Sequence, residues 1–166
     1  MSDVRAPQLV AAGEGESIWF LGSLVTVKAT GAQTSGRLTV VEFVNPPGFA
    51  PPLHRHADED EIFYLLSGSA RFLCGGQELL AHPGDLVVLP SGVAHSFIVG
   101  ADEPLRTLQL TAPAGFEGFA RAAGEPAPAR TLPPPPSAPP GEGDLAMLVA
   151  LAAAHGMEIL GPPPVA

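Results

Sequence analysis

Three histidines and one glutamate stand close together in the middle of the chain, in a spacing that suits a metal ion. They are His54, His56, Glu61 and His95. Imidazole and carboxylate together form a ligand set for redox and Lewis-acid first-row metals. Side chains on a β-strand alternate faces, so His54 and His56 point the same way and reach one ion. Glu61 heads the run Ile62-Phe63-Tyr64-Leu65-Leu66, aromatic and branched in a strand-like way. On that strand Glu61 shares a face with Phe63 and Leu65. A carboxylate at the head of an apolar inward face is costly unless a partner or cation meets it. His95 follows the turn signal Pro90-Ser91-Gly92 and leads a strand whose face it shares with Phe97 and Val99. Each strand therefore ends in a ligand with apolar filling beyond it. The chemistry implied is that of one divalent transition metal, one of Fe, Mn, Ni, Co, Cu or Zn, with Glu61 as ligand and candidate proton acceptor.

The elements that carry these residues are short and regular. Strands recur every eight to twelve residues, with turns at Ser67-Gly68-Ser69, Gly75-Gly76, His82-Pro83-Gly84 and Ser91-Gly92. That rhythm predicts an all-β sandwich or barrel. Residues 1–16 read as a flexible lead and 17–113 as the β-barrel. Residues 114–125 hold a short helix, with Phe116, Phe119, Ala120 and Ala123 on one face. Residues 126–141 form a linker, with eight prolines between 126 and 140, and are expected to be extended. Residues 142–166 hold a final helix, capped by Asp144 and ended by Gly156, with a tail. The apolar run Leu145 to Leu151 needs a partner, on its own barrel or on a neighbouring subunit.

The ligand spacing resembles the cupin superfamily. Gly48, His54, His56, Glu61 and Gly68 match its first motif at every position, and Gly84, Pro90, Gly92 and His95 match the second. The second motif's final asparagine is replaced by Val99. The resemblance spans about residues 38 to 112 and extends more loosely to small bacterial cupins described as quercetin-dioxygenase-like. It implies a double-stranded β-helix, that is, a jelly-roll barrel, and a small-molecule substrate. It also implies a homodimer. Oxygen-dependent cleavage of an aromatic, enol or polyketide-like molecule is the leading expectation, with O2 as co-substrate. Two alternatives are a non-oxidative isomerase or cyclase and a non-enzymatic small-molecule-binding cupin.

Further residues are candidates for the pocket. Glu42 either turns inward to orient substrate or belongs to a solvated outer face, and Gln109 poses the same choice. Phe63, Phe72 and Phe97 are core or cavity wall, and Trp19 is core or a cover for the barrel mouth. Asp58, Glu59 and Asp60 read as a solvated turn that adds negative potential near a cation. His82 and His155 are given no metal role.

Charge and composition exclude other classes. The 166 residues carry a net charge of −9, unsuited to nucleic acid or an anionic membrane. The single cysteine, Cys74, rules out an internal disulfide and reads as buried filler. The N-terminus lacks a charged-then-apolar leader pattern, so a cytoplasmic location is expected. The longest apolar run, 145–154, is too short to span a bilayer.

Overall fold

The computed structural model describes residues 6–137 and 139–165. Residues 1–5 of the expected lead, residue 138 of the linker and residue 166 of the tail lie outside the described residues. Among the described residues, twelve strands and three helices follow in this order: β1 Glu16–Phe20, β2 Ser23–Ala29, α1 Gly31–Thr34, β3 Thr39–Asn45, β4 Leu53–His56, β5 Asp60–Ser67, β6 Ala70–Cys74, β7 Gln77–Ala81, β8 Leu86–Leu89, β9 His95–Val99, β10 Leu105–Ala112, α2 Phe116–Ala123, β11 Glu125–Pro126, α3 Glu142–Ala154 and β12 Met157–Gly161. A seven-stranded sheet runs β11-β1-β2-β3-β10-β5-β8, and a five-stranded sheet runs β12-β4-β9-β6-β7. All their ladders are antiparallel. The result is a jelly roll of two sheets, with a double core between them.

Alternation in the sequence decides which face is inside. In β3, Thr39, Val41, Phe43 and Asn45 are buried, while Val40, Glu42 and Val44 are not. In β5 the buried set is Glu61, Phe63 and Leu65. One core cluster holds Phe63, Leu65, Phe72, Leu89, Phe97 and Leu105 with smaller neighbours. The other gathers Ile18, Phe20, Val41, Phe43, Phe116, Phe119 and Met157. Phe20, Phe43, Phe116 and Phe119 meet at centroid distances of 5.3 to 6.2 Å, mostly edge to face. Each such burial stabilises by roughly 1.5–3 kcal/mol. Gly68 turns β5 into β6 with φ +76°, and a Cβ there would lie 2.6 Å from the Pro104 carbonyl oxygen, so the hairpin needs glycine.

The chain beyond residue 113 is more than an appendage. β11 pairs with β1, and β12 pairs with β4, so the start of the expected linker and the tail after the final helix both join the sheets. β12 had no strand signal strong enough to separate it from a tail. α3 starts at Glu142, and Asp144 acts from its first turn: its Oδ2 accepts the Gly141 N–H at 2.9 Å. α3 packs on the chain's own barrel, where Leu148, Leu151 and Ala152 join the core around Phe20, Phe43 and Phe116. The proline-rich arm is pinned where the Trp19 indole N–H donates to the Thr131 carbonyl at 2.8 Å. Trp19 therefore holds the arm; it is neither core nor a cover for the mouth. Among the described residues, no helix is long and apolar enough to cross a membrane.

Candidate metal centre

The two sheets bring the four donors together. β4 supplies His54 and His56, β9 supplies His95 directly across the ladder from His54, and β5 of the facing sheet supplies Glu61. One donor atom from each lies within 4.8 Å of every other. His56, Glu61 and His95 are buried, and His54 is half-buried.

Each imidazole is oriented by its outer nitrogen. His54 Nδ1–H donates to the Pro52 carbonyl at 2.7 Å, and His95 Nδ1–H donates to the Val93 carbonyl at 2.9 Å. A carbonyl only accepts, so in both rings the proton sits on Nδ1 and the Nε2 lone pair is free when the ring is neutral. His56 Nδ1–H donates to Glu59 Oε2 at 2.8 Å. This carbonyl- and carboxylate-backed pattern is how metal-binding histidines are held. On the inner side, His95 Nε2 lies 3.1 Å from Glu61 Oε2, and His56 Nε2 lies 3.7 Å from Glu61 Oε1. His56 Nε2 is buried with no hydrogen-bond partner. A buried, unpaired nitrogen among converging donors fits a bound cation. Gln109 amide N–H donates to Glu61 Oε1 at 2.5 Å and fixes the carboxylate.

Burial and neighbouring charge set the protonation. Burial strips water from His54 and lowers its pKa to about 4, although Glu61 pulls the other way. Burial also acts to lower His56, but the Glu59 hydrogen bond and the Glu61 and Glu59 charges outweigh it and raise its pKa above the usual 6.5. Burial pushes Glu61 up, while the His95 hydrogen bond and the three imidazoles overcome this and hold it at about 2. The carboxylate is therefore ionised at any working pH.

Above the donors lies a cavity that opens to solvent at its mouth. Its walls include Phe20, Phe43, Phe49, Phe97, Phe116 and Phe119, with Pro51, Pro52, Leu148, Ala152, Met157 and Ile159. Its polar lining consists of Asn45, Gln109 and the ligands His54, His56 and Glu61. Among the described residues, no lysine or arginine lines it.

The other expected site residues divide. Gln109 and Phe97 line the cavity. Phe63 and Phe72 are core, behind the wall. Glu42 is corrected: it faces outward, where Arg106 Nε donates to it at 2.7 Å, because the inward positions of β3 belong to Val41 and Phe43. The acidic turn is also corrected in part. Asp58 is exposed, but Glu59 orients His56, and Asp60 Oδ1 accepts the Ser91 N–H at 2.8 Å and ties the turn before His95 to β5. Glu59 was hidden by its acidic neighbours; its place three residues after His56 was the only signal. His82 is exposed, and His155 packs tilted against Phe119 at a centroid distance of 5.8 Å, away from the four donors. Cys74 is half-buried rather than fully buried, and burial raises its thiol pKa.

Comparison with known proteins agrees with this architecture. The family model described as the cupin domain matches residues 41–111. The chain is 28% identical over 138 residues to quercetin 2,3-dioxygenase of Bacillus subtilis, covering 83% of this chain and 41% of that one. It spans about two fifths of the length of the curated relatives it matches. Among solved structures, a predicted oxalate decarboxylase from Thermotoga maritima superposes with TM-score 0.59 at 21% identity, over 64% of this chain and 99% of the other. The polyketide cyclase RemF of Streptomyces resistomycificus superposes with TM-score 0.55 at 19% identity, over 64% and 80%. Two facing antiparallel sheets, both ligand motifs and these likenesses lead to one conclusion: residues 41–111 match the cupin domain, and the fold that carries them is a cupin jelly roll.

Proposed function

We propose that His54, His56, Glu61 and His95 hold one divalent transition metal, and that the protein acts on a small, flat aromatic, enol or polyketide-like molecule as a quercetinase-like dioxygenase using O2. One observation carries this reading: four oriented donors sit at the floor of a cavity walled by phenylalanines, with no lysine or arginine among the described residues that line it. Beyond the metal itself, such a lining offers no charge to a phosphate or a carboxylate, whereas it stacks well on a flat ring. A metal held there supplies Lewis acidity and, if redox-active, a path for O2 chemistry. The chain's own residues do the rest. The phenylalanines exclude water and align the ring. The three Nδ1 hydrogen bonds keep the Nε2 lone pairs inward. Gln109 fixes Glu61, whose ionised carboxylate accepts the proton of a substrate hydroxyl within hydrogen-bond reach. With its pKa near 2, Glu61 is a weak base, and a metal held by the four donors would supply the Lewis acidity that makes such a hydroxyl easier to deprotonate.

A second reading shares this site and needs no O2. Glu61 and Gln109 form an acceptor and a donor side by side, which suits enolisation, isomerisation or cyclisation. Oxygen uptake by metal-loaded protein on a panel of flavonols and polyphenols separates the two. Uptake that stops without metal supports the dioxygenase. Turnover at an equal rate without oxygen replaces it with the isomerase or cyclase. Tight binding with no product replaces both with a binding protein.

We also propose a homodimer. The outer face of the large sheet exposes Tyr64, Leu66, Leu86 and Val88 by 37 to 59%, an apolar patch on neighbouring strands β5 and β8. Light scattering giving the mass of one chain would overturn it.

A further inference from the structure

Part of the wall facing the donors comes from outside the stretch that matches the cupin domain. In the β12–β4 ladder, Met157 stands opposite His56 and Ile159 opposite His54. Directly paired residues share a face of the sheet, so both side chains rise beside the ligands. Leu148 and Ala152, one turn apart on α3, line the same cavity. The helix is held in place at its C-terminal end: the His155 ring packs on Phe119 and lies so close to Gly118 that an added Cβ there would come within 3.3 Å of it. All four wall side chains are apolar. A hydroxyl or charge on that side of a ligand would find no partner, which disfavours it.

We propose that segment 142–161 is the specificity element of the site. Leu148, Ala152, Met157 and Ile159 set the size and polarity of the molecule that reaches the donors. They select an extended flat ring system whose far edge is unsubstituted. The inference rests on the reading above that the cavity takes an aromatic oxygen ligand.

The test uses the full chain loaded with zinc, as wild type, Ala152→Phe and Leu148→Ala. Two probes are titrated calorimetrically: catechol, which is short, and 3-hydroxyflavone, which reaches the wall. Wild type is expected to bind both. Ala152→Phe fills the far cavity and weakens 3-hydroxyflavone by more than about tenfold, since small volume changes in a fitted pocket are worth 10–200-fold. Catechol affinity and zinc content stay near the wild-type values. Leu148→Ala, at a half-buried position that tolerates truncation, weakens 3-hydroxyflavone by about tenfold and spares catechol. If Ala152→Phe fails to fold, Leu148→Ala alone decides. Wild-type binding of both probes, with the variants unchanged or weakened equally for both, overturns the wall assignment and leaves the aromatic reading intact. Wild-type binding of neither probe overturns that reading, and this inference with it.

Discussion

Replacing Glu59 by alanine tests whether the histidines are held for a metal. Its Oε2 accepts the His56 Nδ1–H at 2.8 Å, with side-chain exposures of only 13% and 1% for Glu59 and His56. A hydrogen bond to a charged group contributes about 1.5–3 kcal/mol. Loss of a carboxylate that orients a ligating histidine weakens metal binding by about 10–100-fold, or roughly 1.4–2.7 kcal/mol. The two ranges overlap, so Glu59→Ala is expected to weaken zinc by 10–100-fold. An opposing effect has a definite sign. Glu59 also raises the proton affinity of His56, so its removal lessens proton competition for that ring. The deficit is therefore largest at about pH 8.5, where an imidazole is mostly unprotonated, and shrinks as pH falls. Competition with a chromophoric chelator measures it, and Glu59→Gln, which keeps an acceptor oxygen, should lose only a few-fold. Zinc affinity of Glu59→Ala within twofold of wild type at alkaline pH would refute the reasoning.

Other outcomes follow from neighbouring contacts. Gln109→Leu removes the donor to Glu61 Oε1 with little change in volume and should weaken zinc by about tenfold in the same chelator assay. Glu117 is buried, and although burial raises its pKa, the Thr39 hydroxyl and the Gly31 N–H hold it below the usual 4.5. Its folded pKa is depressed, so its stabilisation is full above about pH 4.5 and fades as pH falls through the folded value. Melting temperature against pH should therefore fall more steeply below pH 4.5 in wild type than in Glu117→Gln, whose curve starts lower. Phe72, fully buried beside Phe63 and Phe97, should cost about 3–5 kcal/mol as Phe72→Ala in denaturant unfolding.

The barrel was legible where periodicity is strong. In β5 the shared face of Glu61, Phe63 and Leu65 follows from the sequence, and Pro46-Pro47 and Pro51-Pro52 mark the break before the ligand strand. The four donors were legible because strand alternation and motif spacing converge on them. Glu42 was not: both faces of β3 are mostly apolar, and only pairing with Arg106 shows which side is wet. Phe63 and Phe72 differ from Phe97 by depth within one core, which depends on sheet packing and not on pattern. β12 escaped because the four residues between Gly156 and Gly161 carry little signal until they meet β4. α3 is apolar on every side, so periodicity gave no face; the contacts of Leu148 and Ala152 supply it.

The central claim is that four residues hold one metal ion. Mass spectrometry of metal content in the purified protein, beside His54→Ala and His95→Ala, tests it most directly. The account predicts a divalent transition metal near one per chain in wild type, lost in both variants while the fold by circular dichroism persists. Wild-type protein that takes up no metal even after reconstitution, or variants that keep it in full, would contradict the account.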